Sequence, residues 1–322
     1  MSVRLSIQVV TWNSGEEIEA CLESLTVQTS ADFEVIVLDN ASIDGSAERA
    51  EGFIPARLEG RVLRESKNHG FCGGHNRALA VSTGEWILFL NPDTALPPDF
   101  VERAIEVADR AAPDIGSICP RIFLEDGRLD STGLTVDRFR RVYDRGHGEE
   151  AAGRFETEDD VEGCTGAVVL HRRAMLEDVA IDGEVLDESL FAYYDDIDLS
   201  WRERLYGWRC RYVPTLTATH RRSGRNALRT RDADAPRAAQ QALTVRNRFL
   251  VMTKCERVWD LVKSIPWLVP FEIARVLFIA VRAPGALRGY TGALPALPIA
   301  LRHRRTIQRT SKERQAQRGT PS

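Results

Sequence analysis

Residues 5–40 read LSIQVVTWNSGEEIEACLESLTVQTSADFEVIVLDN. Leu5–Thr11 carries Leu5, Ile7, Val9 and Val10, with Ser6 and Gln8 between them, and reads as a buried strand. Positions 16–28 then place Ile18, Cys21, Leu22 and Leu25 on one helical face. A second apolar run follows at 33–38. Strand, helix, strand in this space is a βαβ unit, which predicts a parallel sheet with right-handed crossovers.

Outward from this unit the alternation continues. A helix is expected from about Asp44, strands at 61–64 and Trp86–Leu90, and helices over 73–82 and 98–110. The stretch 121–160 is charged and irregular, with Gly127, Gly133, Gly146, Gly148 and Gly153, and reads as a hairpin-rich insertion or a mobile loop. Order resumes with a strand at 163–171, a helix within 187–208 and a last strand at 211–218. The fold class is therefore α/β, a mostly parallel sheet flanked by helices.

The chain has 322 residues, 43% hydrophobic and 28% charged, which excludes disorder as its main state and allows one large domain or two. Its net charge of -4 hides an asymmetry: residues 221–322 hold 21 Lys and Arg against 6 Asp and Glu. An acidic body, 1–224, is thus joined to a basic helical extension, 225–322. Such a tail fits an anionic surface, and with no aromatic-interleaved nucleic-acid motif the expected surface is lipid.

Within the tail, 236–255 forms a basic amphipathic helix. Positions 259–287 are rich in Leu, Ile, Val, Phe and Trp but interrupted by Pro266, Pro270, Pro284 and several charges. This mixture is read as lacking a membrane-spanning window and as suiting an interfacial segment. The end, 302–318, carries seven basic residues and one acidic residue. The competing expectation is an apolar tail packed on the body, with a solvated disordered end. The six cysteines stand singly, without a Cys-x-x-Cys pair, as buried reduced thiols would. No signal-peptide pattern precedes the first strand, so the expected location is cytoplasmic, peripheral on the inner face of the membrane.

Ligands of open α/β sheets bind outside the carboxyl ends of the strands, so chemistry is sought there. The first strand runs into Trp12 and Asn13, the second into Asp39, Asn40 and Ser42. Trp12 can offer a flat face to a nucleobase and Asp39 can accept from base or ribose. After the third strand comes NHGFCGGHN, Asn68 to Asn76, whose glycines would let backbone N–H groups approach a phosphate at a helix start. Its spacing is neither that of a dinucleotide fingerprint nor that of a P-loop. The fourth strand ends in Asn91-Pro92-Asp93, and a carboxylate emerging there suits a hard divalent cation bridging phosphate oxygens.

Seven segments in order, VVTWNS, VIVLDNASIDGS, NHGFCGGHN, ILFLNPDT, GCTGAVVLHRRAM, DESLFAYYDDIDLSWRERLYGW and THRRSG, span residue 9 to about 224. On these the chain resembles the inverting glycosyltransferases of family 2, in particular their rhamnosyltransferase-like branch. The resemblance implies a GT-A fold, a nucleotide-sugar donor and a Mg²⁺ or Mn²⁺ cofactor. It places Asp93 on the second carboxylate of an Asp-x-Asp motif whose first position is Asn91 here, and His220 on a histidine that can complete the metal site.

The resemblance also places the Asp195-Asp196 pair on the family's acidic pair, with Asp196 as catalytic base and Asp195 its neighbour, although the family more often has Glu at the first position. Trp12, Asn13, Asp39, Asn68, Gly70, Asn76 and Asp93 would line the nucleotide sugar. The acceptor would be a glycan or polyprenyl-linked glycan. A base next to a second carboxylate has its apparent pKa raised toward neutrality. Tyr193, Tyr194, Trp201 and Trp208 could wall the sugar, with core packing expected for at least two. A sugar nucleotidyltransferase would need positive charge after the first strand, where VVTWNSGEE is acidic. A non-catalytic membrane scaffold would not need Asp93 and Asp196.

Overall fold

A computed structural model describes residues 3–222 and 234–317. Its first half follows the βαβ reading closely: β1 Leu5–Thr11, α1 Glu17–Thr26, β2 Phe33–Asp39, α2 Ser46–Phe53, β3 Gly60–Arg64, α3 Gly70–Leu79, β4 Trp86–Leu90, the short β5 Thr94–Ala95 and α4 Phe100–Arg110. β1 pairs in parallel with β2 on one side and β4 on the other, and β2 with β3. The chain therefore moves outward from β1 through β2 to β3, then returns to β1's other edge as β4. That reversal opens a crevice at the carboxyl ends of β1 and β4.

The second half comprises β6 Ile115–Phe123, β7 Leu129–Ser131, β8 Leu134–Val136, β9 Val142–Asp144, β10 Asp159–Val161, β11 Val168–Arg172, α5 Arg173–Val179, α6 Asp195–Tyr206 and β12 Arg209–His220. The large sheet has ten strands, ordered β10-β12-β6-β11-β4-β1-β2-β3, with β5 on β12 and β7 on β6. β11 runs antiparallel to both β4 and β6. α1 and α4 cover one face, burying Ile18, Leu22, Leu25, Phe100, Val101 and Ala104 against β1, β2 and β4. α5 and α6 cover the other through Met175, Leu176, Leu199 and Leu205.

Three expectations are corrected. Residues 121–160 are neither wholly insertion nor mobile loop: β8 and β9 form a hairpin, while β7 and β10 join the main sheet. β6, which the sequence reading leaves without a strand, hides behind Pro120 and Arg121. A proline lacks the N–H a ladder needs, and here β12 answers with a register shift between Val213 and Thr217, opposite Pro120–Arg121. The third helix starts at Gly70 rather than 73.

The C-terminal part consists of α7 Asp234–Cys255, α8 Val258–Arg282, α9 Arg288–Ala293 and α10 Leu297–Gln317. Pro266 and Pro270 lie inside α8 without breaking it. Contrary to the sequence reading, α8 contains an 18-residue window of mean hydropathy 1.7, long and apolar enough to cross a membrane by length and composition. Two lost backbone hydrogen bonds do not interrupt a helix of 25 residues. α10 is ordered rather than frayed: Ala300, His303, Ile307 and Ser311 form one buried stripe, and Arg304 and Gln308 donate to the carbonyls of Thr253 and Cys255 on α7. The six cysteines are free and buried.

Candidate active site

β1, β2 and β4 deliver their last residues to the crevice. Trp12, just past β1, is 57% exposed, and its indole is available as a stacking face. Asp39 ends β2 almost fully buried. Its Oδ2 accepts from the Ser42 amide at 3.0 Å, while Oδ1 is buried without a partner. A buried carboxylate oxygen left unpaired is costly, so this atom fits a donor supplied by a ligand. Asn13 sits between them with a left-handed backbone, its Oδ1 accepting from the Ile43 amide at 2.9 Å. It knits the two strand-end loops together.

The glycine-rich segment has a different environment from the phosphate cradle that the sequence evokes. Asn68 Oδ1 caps the Gly70 amide at 2.7 Å. At Gly70, φ is +72°, and a Cβ there would stand 2.3 Å from the Phe191 carbonyl oxygen; one at Gly74 would meet Val10 at 2.6 Å. These glycines let α3 press against β1 and the 187–194 segment. Asn76, expected at the diphosphate, has both amide ends engaged by the Leu186 backbone, at 2.8 Å and 3.0 Å. Asn40, which sequence reading gave no role, is buried and links the end of β2 to the start of α3 through Gly70 O and the His69 amide.

Past β4, Asp93 Oδ1 lies 3.2 Å from His220 Nε2 at the end of β12. The two come together because β5, directly after Asp93, pairs with β12 in the register Thr94 to His220. The other imidazole nitrogen, Nδ1, is 2.7 Å from Asp130 Oδ2, and Asp130 is fully buried on β7. Burial alone would lower the His220 pKa, but hydrogen bonds to Asp130 and Asp93 outweigh it and hold the imidazole near 9. Asp130 is itself kept below the usual carboxylate range: burial works against this, and His220 and Arg222 overcome it.

With a pKa near 9, His220 is an imidazolium paired with Asp93 at neutral pH. Once a cation displaces the Nε2 proton, the Asp93 carboxylate and an imidazole whose far nitrogen is fixed by Asp130 are the donor set and outer shell of a divalent-cation site. Among the described residues no group of three or more metal-ligating side chains is already assembled. Asp93 and His220 could therefore hold a cation only with further oxygens, such as those of a diphosphate.

The network continues. Arg222 pairs with Asp130 and, at 2.7 Å, with Asp144 at the end of β9. Asp144 in turn raises the pKa of Asp196, after burial the largest influence upon it. Asp196 begins α6, accepts from the Ile197 amide at 2.8 Å and also from the Gly166 amide, and its pKa is pushed up to about 6. Its neighbour Asp195 is raised further, by burial and by the charge of Asp196, and faces Gly166 and the Cys72 side of α3.

Gly166 and Ala167 lie between the acids. The Ala167 carbonyl takes the Asn91 amide at 2.8 Å, continuing the β4–β11 pairing of Leu90 with Val168. Asp196 thus bonds to Gly166, next to the residue that the Asn91 amide of the Asp93 turn bonds, and the chain Asp93–His220–Asp130–Arg222–Asp144 ends at a carboxylate whose charge acts on Asp196. Asp130 and Asp144 escaped sequence reading because each sits in the irregular stretch, where nothing marks one acid among many. Of the four aromatics considered for a sugar wall, Tyr193 is exposed, whereas Tyr194, Trp201 and Trp208 pack against the core.

A family model described as Glycosyl transferase family 2 matches residues 6–180. The chain is 26% identical over 245 residues to N-acetylglucosaminyl-diphospho-decaprenol L-rhamnosyltransferase of Mycobacterium tuberculosis, covering 68% of this chain and 76% of that protein. It is 27% identical over 232 residues to an uncharacterized protein of Sinorhizobium fredii, again over 68% of this chain, but it spans only 24% of that relative's length. Among solved structures, a mannosyltransferase of Pyrobaculum calidifontis in complex with GDP-Man and Mn²⁺ superposes with a TM-score of 0.56 at 19% identity, covering 98% of this chain and 87% of that one. At that identity the likeness concerns the GT-A fold alone.

Proposed function

The chain belongs to glycosyl transferase family 2, and from that premise we propose that it transfers a sugar, L-rhamnose by its likeness to the mycobacterial enzyme, from a nucleoside-diphosphate donor to a lipid-linked glycan, with inversion. The observation that carries this reading is the single bonded chain from Asp93 through His220, Asp130 and Arg222 to Asp144, beside Asp196. Trp12 stacks on the base and Asp39 Oδ1 takes a donor from the nucleoside. Asp93 and, on loss of its Nε2 proton, His220 would hold Mg²⁺ or Mn²⁺. A bound cation there would neutralise charge on the departing diphosphate.

Asp196 accepts the proton of the acceptor hydroxyl as that oxygen attacks the anomeric carbon from the face opposite the leaving group. A carboxylate with a pKa near 6 is ionised at neutral pH, yet is more basic than an ordinary aspartate. Asp195, more strongly raised, stays closer to its neutral form and limits repulsion at the base. The test is release of nucleoside diphosphate from a panel of dTDP-, UDP- and GDP-sugars with Mn²⁺ present or chelated. Cation-dependent release from one donor supports the reading, and no release from any of them refutes it.

The lipid-linked acceptor and a position on the inner membrane surface rest on α8. Trp259, Leu277, Phe278 and Val281 on α8 are each more than 60% exposed. An open apolar groove of about 720 Å³ runs between α7, α8 and α10, lined by Phe249, Met252, Leu261, Ile273, Leu277 and Leu301. The middle of α8 is tied to the body: Ser264, Leu268 and Ile279 are its buried residues, Arg140 reaches Ser264 at 3.0 Å, Trp267 donates to Arg138 O, and Arg248 pairs with Glu272 at 2.6 Å. With its middle held to the body by these contacts, α8 is read as lying on a bilayer surface.

Glutamates at Trp259, Leu277 and Phe278 together are expected to weaken binding to phosphatidylglycerol vesicles by at least about 100-fold, since each apolar side chain buried is worth roughly 1.5–3 kcal/mol. Unchanged co-sedimentation would remove α8 from the membrane.

A further inference from the structure

The backbone just before the candidate base is held in an unfavourable shape. Phe191, Tyr193 and Tyr194, none of them glycine, have φ of 69°, 67° and 66°. Left-handed backbone at bulky residues persists only where surrounding contacts impose it. One set of contacts comes from α3, where the Cys72 amide donates to the Phe191 carbonyl at 3.1 Å and Gly70 leaves room for that close approach.

The other set comes from α7. Asn247 is fully buried, and its Nδ2 lies 2.8 Å from each of three carbonyl oxygens, those of Leu190, Ala192 and Tyr193. Two turns along the same helix face, Lys254 is equally buried, with Nζ 2.5 Å from Asp187 and 2.8 Å from Asp198. One side of α7 therefore grips this segment before its strained part, at its crest and just beyond Asp196.

We infer that Asn247 is a positioning residue for glycosyl transfer: its buried amide, on a helix of the C-terminal extension, clamps the 190–194 backbone and so aims Asp196. The C-terminal extension is then part of the catalytic apparatus as well as a membrane contact. An aspartate would turn carboxylate oxygens toward three carbonyl oxygens, and an alanine would take this donor from the Ala192 and Tyr193 carbonyls, leaving that of Leu190 with the Ala192 amide alone. The inference rests on the proposed role of Asp196, but the clamp itself is a property of the folded chain and can be measured without any substrate.

The experiment compares the full-length protein with its Asn247→Ala and Asn247→Ser variants by amide hydrogen exchange over 188–198 and by nucleoside diphosphate release from whichever donor the wild type uses. In Asn247→Ala, loop exchange should accelerate about tenfold or more while the β1 and β4 amides stay protected. The kcat should fall by about 100-fold with donor KM nearly unchanged, as expected for a displaced base. Asn247→Ser, which keeps one donor, should fall between alanine and wild type in both readouts.

Unaltered loop exchange, or a loss carried by donor KM, would overturn the inference. Should Asn247→Ala not fold, Asn247→Ser and the wild type decide: loop amides opening independently of the α7 amides in native-state exchange would contradict a clamp. A wild type that releases no nucleoside diphosphate refutes the proposed function, while the exchange results still judge the clamp.

Discussion

Asp196→Asn should lower kcat by roughly 10²–10⁴-fold, the range typical of a lost general base, while leaving Mn²⁺-dependent binding of nucleoside diphosphate close to wild type. Asparagine keeps the size of the side chain, and its one carbonyl oxygen can still accept from the Ile197 amide, which holds Asp196 Oδ1 now. What it cannot do is take the acceptor proton. The pH profile carries the same signature. Burial and the Asp144 charge lift the Asp196 pKa to about 6, so the base is protonated below that value and the rate falls as pH drops through about 6. An ordinary aspartate would keep the acid limb near pH 4. A rate flat down to pH 5, or Asp196→Asn within a few-fold of wild type, would assign the proton transfer elsewhere.

The second large effect is expected at the other end of the network. Asp93→Ala should abolish the cation-dependent part of nucleoside diphosphate binding, seen as loss of the thermal shift that Mn²⁺ plus nucleotide gives the wild type. His220→Ala should act in the same direction. Asp130→Asn is the more discriminating variant, because among the described residues the Asp130 carboxylate pairs with the far nitrogen of His220, with Arg222 and with His147. Loss of such an outer-shell carboxylate typically weakens metal affinity by roughly 10–100-fold. Full Mn²⁺ dependence surviving in Asp93→Ala would remove the metal site from this position.

Local pattern carried the N-terminal half of the fold into view. β1 and β4 have the bounds read from sequence: WILFL is an unbroken apolar run, and Leu5, Ile7, Val9 and Val10 mark β1 although Ser6 and Gln8 intervene. β6 did not, since Pro120 and Arg121 interrupt its run and only the bulge in β12 makes room for them. α8 looked broken for a similar reason: proline weighs heavily in a local reading, whereas a helix packed along one side by Ser264, Leu268 and Ile279 absorbs it.

The candidate site divides the same way. Trp12, Asp39 and Asp93 follow strand ends and are visible in sequence, as are Asp195 and Asp196 at a helix start. Asn68, Gly70 and Asn76 were conspicuous too, but their atoms are occupied in joining α3 to the segment that leads to Asp196. Asp130, Asp144 and Asn247 could not be read, because their roles arise from contacts between residues tens to more than fifty positions apart, His220 with Asp130 and Asn247 with Leu190 among them.

Crystals soaked with Mn²⁺ and a nucleoside diphosphate, measured for the anomalous signal of manganese, test the arrangement most directly. The peak is expected between the Asp93 carboxylate and His220 Nε2, with the terminal phosphate in the cleft that Asp196 faces. A peak elsewhere, or a diphosphate shut off from Asp196 by the Gly166–Ala167 segment, would contradict it.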